Sequence, residues 1–344
     1  MGLDKRNIIL ITVDCLRRDY FTELISQENN EINNLLRPID NFISAGSNTP
    51  ISFEIIMTGR YSSTLDKELG LEKEKNILAT ELKKIGYRTI GIIEENPALS
   101  GLYNYSKEID FFLPLEPEKI KKKSLLKIIK NILLFPIPRR RWKELLPLYL
   151  ASKFDYRKLD LNRSKKEAHF ISFKEIKQAA ERAFGNFSGS SSPLFFWFHC
   201  MDPHFPYFPF QGLKYVKDWK RIEFFYYLQR KRKKVDKHNN YFNKEIVNKA
   251  LECYKNSIKK AIEKISALLR FLKNRGIINK NSLIILTADH GEAFGEHGFF
   301  EHNFGIEKEL YEIPFFISKN INLEFSKDLL LSQKFLYNII LDFA

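Results

Sequence analysis

The sequence predicts an α/β fold in which a mostly parallel central sheet is flanked by helices. Four short runs are apolar and rich in β-branched or aromatic residues, which is typical of strands buried on both faces of a parallel sheet. Helical patterns lie between these runs, and strands that alternate with helices favour an open sheet covered on both faces. The predicted strands are residues 7–13, 88–93, 194–199 and 282–287, with a fifth at 313–318.

The predicted helices follow from apolar residues that recur every three or four positions. In the longest, residues 244–274, these residues form one stripe opposite a face of Lys and Glu, so we assign them to the core. Shorter helices are predicted at 76–85, 166–184 and 329–343. The stripe consists of Leu251, Tyr254, Ile258, Ile262, Ile265, Leu269 and Leu272.

Length and composition indicate a globular protein. The chain has 344 residues, of which 44% are hydrophobic and 28% charged, and this excludes a disordered or low-complexity protein. We expect one α/β domain across residues 1–344. The three cysteines are far apart and odd in number, so no disulfide framework is indicated. Because no apolar run is long enough for a signal sequence or a membrane span, we expect a soluble, cytoplasmic protein.

The formal net charge of +14 is concentrated in two segments. Residues 117–143 carry a net charge of +9 and residues 214–237 carry +7, which leaves about −2 for the rest of the chain. These segments belong to two predicted basic insertions, at about 115–165 and 208–243. The body of the protein is therefore expected to be nearly neutral, while the insertions favour an anionic partner.

Several partners remain open for the basic insertions. Residues 119–142 interleave Leu and Ile with Lys, which is typical of a helix on an anionic membrane surface or of a solvated helix packed on the domain. Residues 230–234, RKRKK, follow four aromatic residues and can bind nucleic acid, the least favoured partner. Both insertions follow core strands, so they can also cover the site and favour an anionic ester substrate linked to a lipid or a glycan.

Ionisable residues directly follow three of the predicted strands. Asp14 follows the first strand, and Asp289 and His290 follow the fourth. Since the carboxyl ends of parallel strands meet at one edge of a sheet, carboxylates and imidazoles at these positions predict a divalent metal site. Five of the seven histidines lie at the end of the third strand or in the segments that follow the third and fourth strands. The further candidates in these segments are His199, Asp202, His204, His297 and His302.

Thr49 is the candidate nucleophile. It precedes Pro50, which predicts a helix with Thr49 as its N-cap and is a sufficient structural reason for a threonine. The N-terminus of a helix also stabilises negative charge on oxygen. Beside a metal ion, a threonine hydroxyl loses its proton more readily and can attack phosphorus or sulfur, so we favour a nucleophile over a plain cap.

The sequence resembles the sulfatase-like branch of the alkaline phosphatase superfamily from residue 7 to about residue 344. Six segments occur in the order and spacing of that family: NIILITVDCLRRDYF, TPISFEIIMTGRYS, LKKIGYRTIGII, FFWFHCMDPHFPY, LIILTADHGEAFGEHG and LYEIPFFI. The pairing of MDPHFPY with DHGEAFGEHG is the most specific. The resemblance implies an alkaline phosphatase-like three-layer sandwich and a metal-dependent enzyme that acts on sulfate or phosphate esters.

By matching positions, the resemblance also implies roles for single residues. Thr49 falls at the position of the nucleophile, and His204 would contact the transferring group or protonate the leaving oxygen. His302 lies where many sulfatases have a lysine that contacts sulfate, so we group it with the catalytic residues. The implied metal ligands are Asp14, Asp289 and His290. The candidate substrate-binding residues are His199, Asp202 and His297.

The sequence departs from the family pattern at several positions. True sulfatases convert the first residue of C/S-x-P-x-R to formylglycine, but Thr49, Ile51 and Phe53 occupy the three defining positions here. Cys15 stands where the second acid of the usual Asp pair would be. We also expect the small C-terminal sheet domain of the family to be absent. A threonine nucleophile resembles the phosphatase, phosphodiesterase and phosphoethanolamine-transferase members.

The sequence therefore predicts a hydrolase that uses Thr49 and one divalent metal ion, Mn²⁺, Mg²⁺, Ca²⁺ or Zn²⁺, with a second ion left open. Phosphate monoesters or diesters are favoured over sulfate esters. One alternative is a phosphoethanolamine-type transferase. Another is a family member without catalysis that binds an anionic glycan, lipid or nucleic acid; Cys15 favours this alternative, and the complete set of metal and nucleophile residues opposes it.

Overall fold

The computed structural model describes the chain over most of its predicted catalytic body. One compact unit comprises Met1–Leu115 and Ser172–Ala344. The two predicted basic insertions lie outside the described residues, apart from Leu115. The described residues are 6–27, 29–61, 71, 76–94, 96, 98–99, 105–106, 108–115, 171–187, 189–205, 207, 244–297, 300–302, 305–326 and 328–344.

The unit is built on a seven-stranded sheet, which confirms the predicted α/β class. Its order is β2-β10-β7-β1-β6-β4-β5, and only β10 runs antiparallel to its neighbours. Two short pairs, β3 with β11 and β8 with β9, lie outside this sheet. The strands are β1 Ile8–Val13, β2 Leu36–Pro38, β3 Phe42–Ile43, β4 Arg88–Glu94, β5 Phe111–Leu115, β6 Leu194–Cys200, β7 Leu283–Ala288, β8 Ala293–Phe294, β9 Phe300–Glu301, β10 Phe315–Ser318 and β11 Leu331–Ser332.

The central strands are the ones that the sequence predicted, and the edges are where the prediction was incomplete. Every residue of β1, β6 and β7 is buried, as their continuous apolar runs indicated. The prediction missed the edge strands β2 and β5. Pro114 weighs against a strand at β5, but an edge strand does not need the N–H group that proline lacks.

Helices cover both faces of the sheet. Phe196 and Trp197 are neighbours on β6 and therefore point to opposite faces. Phe196 packs against Phe184 of α5, and Trp197 packs against Phe53 of α3, so these two helices lie on opposite sides. The helices are α1 Arg18–Ile25, α2 Glu31–Leu35, α3 Thr49–Thr58, α4 Leu78–Lys84, α5 Phe173–Asn186, α6 Lys244–Asn274, α7 Lys308–Tyr311 and α8 Lys334–Phe343.

The structure has helices where the sequence predicts them, but some of the helix ends differ from the prediction. The bounds of α6 are the predicted ones, whereas α5 begins only after a capping box formed by Ser172 and Glu175. The last helix begins at Lys334, because β11 occupies part of the predicted span. Within the described ranges, no helix combines the length and the apolarity that crossing a membrane requires.

Three central strands end at the same level, and this aligns the residues that follow them. Val13 at the end of β1 pairs with Cys200 of β6 on one side and with Ala288 of β7 on the other. The side chains of Asp14 and Asp289, which come next, are therefore delivered to one edge of the sheet.

Candidate active site

The turn after β1 fixes Asp14 at the centre of this edge. Cys15 adopts a φ of 56°, in the left-handed region that residues other than glycine rarely adopt. The hydroxyl of Tyr254, from α6, donates to Cys15 O at 2.6 Å and accepts from Arg17 N at 2.9 Å, which holds the turn. Asp14 is fully buried, and its Oδ2 accepts a hydrogen bond from Asn96 Nδ2 at 2.9 Å.

The loop after β7 presents Asp289 and is held from behind by two buried side chains. Ser44 Oγ and Gln333 Nε2 both donate to Asp289 O, each at 2.6 Å. Gln333 is fully buried and also accepts from Ala45 N at 2.9 Å, so the loop is tied to the segment that leads into α3.

His290 is oriented by the next residue in the loop. Its Nδ1 lies 2.9 Å from Gly291 O and must carry the proton of that hydrogen bond, so its Nε2 is left to face Asp289 Oδ2 at 3.4 Å. Position 291 requires glycine, because a Cβ atom there would lie 1.9 Å from the carbonyl oxygen of Glu309. The side chains of the adjacent residues Asp289 and His290 thus turn toward one point.

Thr49 lies at the N-terminus of α3, but its predicted role as the cap was wrong. The N-cap is Asn48, whose side chain accepts from Ile51 N at 3.1 Å, and Thr49 is the first helical residue. The short polar side chain of Asn48 fills the cap, so the threonine hydroxyl is not used for capping. Thr49 Oγ1 instead points at Asp14 Oδ2 and His290 Nε2, at 3.4 Å from each.

The spacing of these atoms fits ligands of one cation better than a hydrogen-bonded cluster. Thr49 Oγ1, Asp14 Oδ2, His290 Nε2 and Asp289 Oδ2 are connected by separations of 3.4 Å. Such separations are long for hydrogen bonds. Ligands at about 2.0–2.2 Å from a tetrahedral ion lie about 3.4 Å from one another.

Two buried polar atoms without partners support the same reading. Asp289 Oδ2 and His199 Nε2 are buried and accept or donate no hydrogen bond within the described part of the chain. His199 Nε2 lies 3.4 Å from Asp14 Oδ2, without the alignment of a hydrogen bond. Unpartnered buried atoms are rare in native proteins, and carboxylate oxygen with imidazole nitrogen is a donor set that divalent ions take. The residues present therefore fit a metal ion.

The pKa values of the Asp14 and Asp289 carboxyl groups are shifted in opposite directions. Burial alone raises the pKa of Asp14, but His204, His199 and His290 outweigh burial and hold it well below its ordinary value. Burial and the nearby charge of Asp14 raise the pKa of Asp289. Positive charge close to both carboxylates would stabilise them together as anions.

His199 is held by neighbours on the central strands. Its Nδ1 lies 2.9 Å from Thr12 Oγ1, and the same hydroxyl accepts from Trp197 Nε1 at 3.0 Å. The ring also meets the edge of Phe53, with centroids 5.1 Å apart. His199 is thus fixed with Nε2 toward Asp14, beneath the site.

His204 and His302 lie at the partly exposed side of the site. Their ring centroids are 5.6 Å apart, and the His302 ring is 4.4 Å from that of His290. Glu292 accepts from His302 Nδ1 at 2.7 Å and from the Tyr207 hydroxyl at 2.7 Å. Burial lowers the pKa of His302, but the charge of Glu292 and this hydrogen bond raise it to about 9, so the imidazole is cationic near neutral pH.

Asp202 and His297 are not brought to these atoms. Asp202 Oδ1 accepts from Lys264 Nζ at 2.6 Å, in a buried pair on the other side of β6. His297 lies in the β8–β9 connection, where Nε2 is 3.1 Å from Glu309 and the side chain is 45% exposed. The structure gives these two predicted substrate-binding residues structural partners of their own.

Three buried neighbours in this region escaped the sequence interpretation. Asn96 lies two residues after β4, so attention to polar residues at strand ends would have found it. Glu292 lies within the segment already singled out, and its partner His302 identifies it. Lys264 gives no local signal, because it lies on the polar side of a long Lys-rich helix and only the fold shows that it is buried.

A family model matches almost the whole chain. The model for Sulfatase matches residues 6–344. A search of curated protein sequences gave no match.

Solved structures with the same fold include hydrolases and transferases. The C-terminal periplasmic domain of phosphoethanolamine transferase EptC from Campylobacter jejuni is 14% identical, with a TM-score of 0.59 over 99% of this chain and 89% of that one. A phosphonate monoester hydrolase from Silicibacter pomeroyi is 16% identical, with a TM-score of 0.61 over 98% and 73%. A 2-O GAG sulfatase is 11% identical, with a TM-score of 0.60 over 98% and 70%. At these identities the likeness shows the fold.

Proposed function

This chain belongs to the sulfatase family, and we propose that it is a metal-dependent enzyme that cleaves phosphate esters by attack of Thr49. One observation carries the proposal: Thr49 Oγ1, at the N-terminus of α3, lies 3.4 Å from Asp14 Oδ2 and 3.4 Å from His290 Nε2. A plain cap would direct the hydroxyl to the helix backbone, and Asn48 already fills that role.

The proposed ligands of the ion are Asp14, Asp289 and His290. A divalent cation supplies positive charge that acidifies a nearby hydroxyl and stabilises the ester oxygens as charge develops on them. The chain itself orients the nucleophile. Thr49 donates toward Asp14 Oδ2, a carboxylate that can take its proton, and the N-terminus of α3 adds a favourable dipole at the attacking oxygen.

The histidines on the exposed side complete the reaction. The cationic His302 faces the site, where it attracts the anionic ester, and Glu292 keeps it protonated. His204 is placed beside His302 and is the proposed proton donor to the leaving oxygen. Thr49 Oγ1 forms a bond to phosphorus as the bond to the leaving oxygen breaks. Water, or an acceptor alcohol in a transferase, then takes the phosphoryl group from Thr49.

Phosphorus is favoured over sulfur because of the residue at position 49. A threonine cannot be oxidised to formylglycine, and the C/S-x-P-x-R sequence that directs this modification is not present around it. The substrate class we propose is an anionic ester linked to a lipid or a glycan. Support comes from the basic insertions, and structural neighbours include lipooligosaccharide phosphoethanolamine transferase A and a 2-O GAG sulfatase.

The test is a panel of aryl esters assayed with four metals. Wild-type protein, Thr49→Ala and the control Thr58→Ala are each assayed with phosphate monoester, phosphate diester, phosphonate and sulfate esters in Mn²⁺, Mg²⁺, Ca²⁺ and Zn²⁺. Thr58 ends the same helix and donates to Glu54 O, so its loss tests packing alone. We expect Thr49→Ala to lower kcat/KM by about 10³-fold or more, with phosphate esters the best substrates.

Mass spectrometry of rapidly quenched wild-type enzyme should find phosphate on Thr49. Unchanged turnover in Thr49→Ala would refute the nucleophile. Full metal binding without turnover of any ester or transfer to any alcohol would favour the non-catalytic binder.

A further inference from the structure

The thiol of Cys15 lies between the two halves of the site. It is fully buried, donates from Sγ to Asp14 Oδ1 at 2.9 Å, and lies 3.4 Å from His302 Nδ1. Cys15 belongs to two groups whose ligand atoms lie within 4.8 Å of one another: Asp14, Cys15 and His290, and Cys15, His204 and His302. One sulfur atom is thus common to both groups.

Packing alone does not account for this position of the thiol. A structural cysteine behaves as a small apolar residue, and Cys253 on α6 illustrates one in the hydrophobic core. Cys15 is instead surrounded by carboxylates and imidazoles. Its left-handed backbone is held by Tyr254 at the carbonyl and by a hydrogen bond of 3.2 Å from Cys15 N to Asp289 Oδ1. Because several contacts impose this conformation, the direction of the side chain is fixed.

The histidines around the thiol are all oriented in the same way. The Nδ1 atoms of His290, His204 and His302 face Gly291 O, Phe205 O and Glu292 Oε2 respectively. An oxygen acceptor at Nδ1 holds a proton there and fixes the direction of each ring, and in His290 it leaves Nε2 facing the site. Such outer partners are the usual way in which proteins orient histidine ligands of metals.

We propose that Cys15 binds the metal ion as a thiolate and makes the centre selective for thiophilic ions such as Zn²⁺ over Mg²⁺ and Ca²⁺. The inference rests on the metal site of the proposed function and specifies its ligands. Thiolate is a soft ligand that suits zinc, whereas Mg²⁺ and Ca²⁺ take oxygen ligands. When the ion binds, the Sγ proton is released to solvent and a metal–sulfur bond replaces the hydrogen bond to Asp14.

The test uses Co²⁺ as a spectroscopic probe on the purified full-length chain. Stoichiometric Co²⁺ should give near-ultraviolet thiolate-to-cobalt absorption in wild type. The matched control Cys253→Ser should keep this band and Cys15→Ser should lose it, with a Zn²⁺ affinity lower by about tenfold or more. Cys15→Asp should bind with a preference shifted toward Mn²⁺ and Mg²⁺. A band that persists in Cys15→Ser, or that is missing from cobalt-loaded wild type, overturns the proposal.

A second measurement needs no variant, in case Cys15→Ser does not fold. X-ray absorption at the zinc edge of zinc-loaded wild type should detect one sulfur atom bound to the metal, and a shell of nitrogen and oxygen alone overturns the proposal. The outcome is separable from the proposed function. If Thr49→Ala is inactive and no sulfur is bound to zinc, the nucleophile assignment holds and Cys15 is not a ligand. If Thr49→Ala is active and sulfur is bound to zinc, Cys15 is a ligand and Thr49 is not the nucleophile.

Discussion

Two pairs of buried acids lie at the same edge of the sheet, and they differ in whether the protein supplies a cation. Glu94 is the last residue of β4 and Asp202 follows β6, and Lys264 Nζ lies 2.7 Å from the first and 2.6 Å from the second. Asp14 and Asp289 follow β1 and β7. Throughout the described ranges, the ion-pair partners of this second pair are histidines.

The difference separates a structural cluster from the proposed metal site. Glu94, Cys200 and Asp202 also have the spacing of metal ligands, so spacing alone does not identify a metal site. Lys264 already stabilises these carboxylates, and Glu94 Oε2 accepts from Met201 N at 2.8 Å, which fixes the loop that leads to His204. In the pair formed by Asp14 and Asp289, no lysine or arginine of the described residues plays this role, and the proposed divalent ion would supply the positive charge.

We expect the largest effect from neutralising Asp289, which belongs to the pair that has no lysine partner among the described residues. Asp289→Asn keeps the shape of the side chain and removes one charge, so Zn²⁺ affinity should fall by about 100-fold or more and ester cleavage should be lost. Without metal the variant should be at least as stable as wild type, because repulsion from Asp14 is removed. Calorimetry and urea denaturation measure both.

Asp40→Asn is the control for this variant, since Asp40 is an exposed acid paired with Arg18. It should change neither metal affinity nor stability. An Asp289→Asn protein with wild-type metal affinity would place the ion elsewhere and remove the contrast between the two acidic pairs.

Removing Lys264, the cation of the other pair, should lower stability and leave metal affinity nearly unchanged. Lys264→Met leaves Glu94 and Asp202 buried without their partner, and loss of one member of a buried ion pair costs about 3–5 kcal/mol of unfolding free energy. Metal affinity should stay within a few-fold of wild type. Urea denaturation of apo protein, with Lys260→Met on the exposed face of the same helix as control, measures the loss.

A rescue variant sharpens this expectation. Adding Glu94→Gln and Asp202→Asn to Lys264→Met removes the uncompensated charges and should restore part of the stability. If Lys264→Met is as stable as wild type, the lysine is not the cation that this pair needs.

Metal addition distinguishes the two pairs by the stability that each protein gains when zinc is added, whatever its stability without metal. A ligand at 100 times its Kd stabilises the native state by about 2.7 kcal/mol. We expect wild type and Lys264→Met to gain this increment on titration with Zn²⁺ and Asp289→Asn to lack it. An equal gain in all three proteins, measured by thermal denaturation, would mean that the ion binds outside the Asp14 and Asp289 pair.

The sequence predicted the residues of one acidic pair better than those of the other. Asp14, Asp289 and His290 directly follow buried strands, so a local signal and the common edge of parallel strands were enough to group them. Lys264 and Gln333 were beyond sequence reasoning. Each lies on or beside a helix distant in sequence from the residues it contacts, and only tertiary packing decides that these polar side chains are buried rather than solvated.

The smallest expected effect tests how firmly the loop after β7 must be held. Gln333 Nε2 donates to Ala288 O at 2.8 Å and to Asp289 O at 2.6 Å, so Gln333→Ala leaves buried carbonyl groups with fewer partners. The cost in unfolding free energy should be about 1–3 kcal/mol. Because Gln333 contacts the backbone of Asp289, a proposed metal ligand, and not the substrate, kcat should fall by about 10-fold to 100-fold while KM is little changed.

Asn338→Ala, an exposed position on α8, is the control for helix stability alone and should change the unfolding free energy by no more than about 0.5 kcal/mol. The decisive comparison is between Gln333→Ala and Lys264→Met. If Gln333 is purely structural, Gln333→Ala should lower stability and leave kcat unchanged. Lys264→Met should likewise lower stability, with metal affinity unchanged. A glutamine that positions Asp289 should lower kcat and Zn²⁺ affinity together, since both depend on where that carboxylate lies.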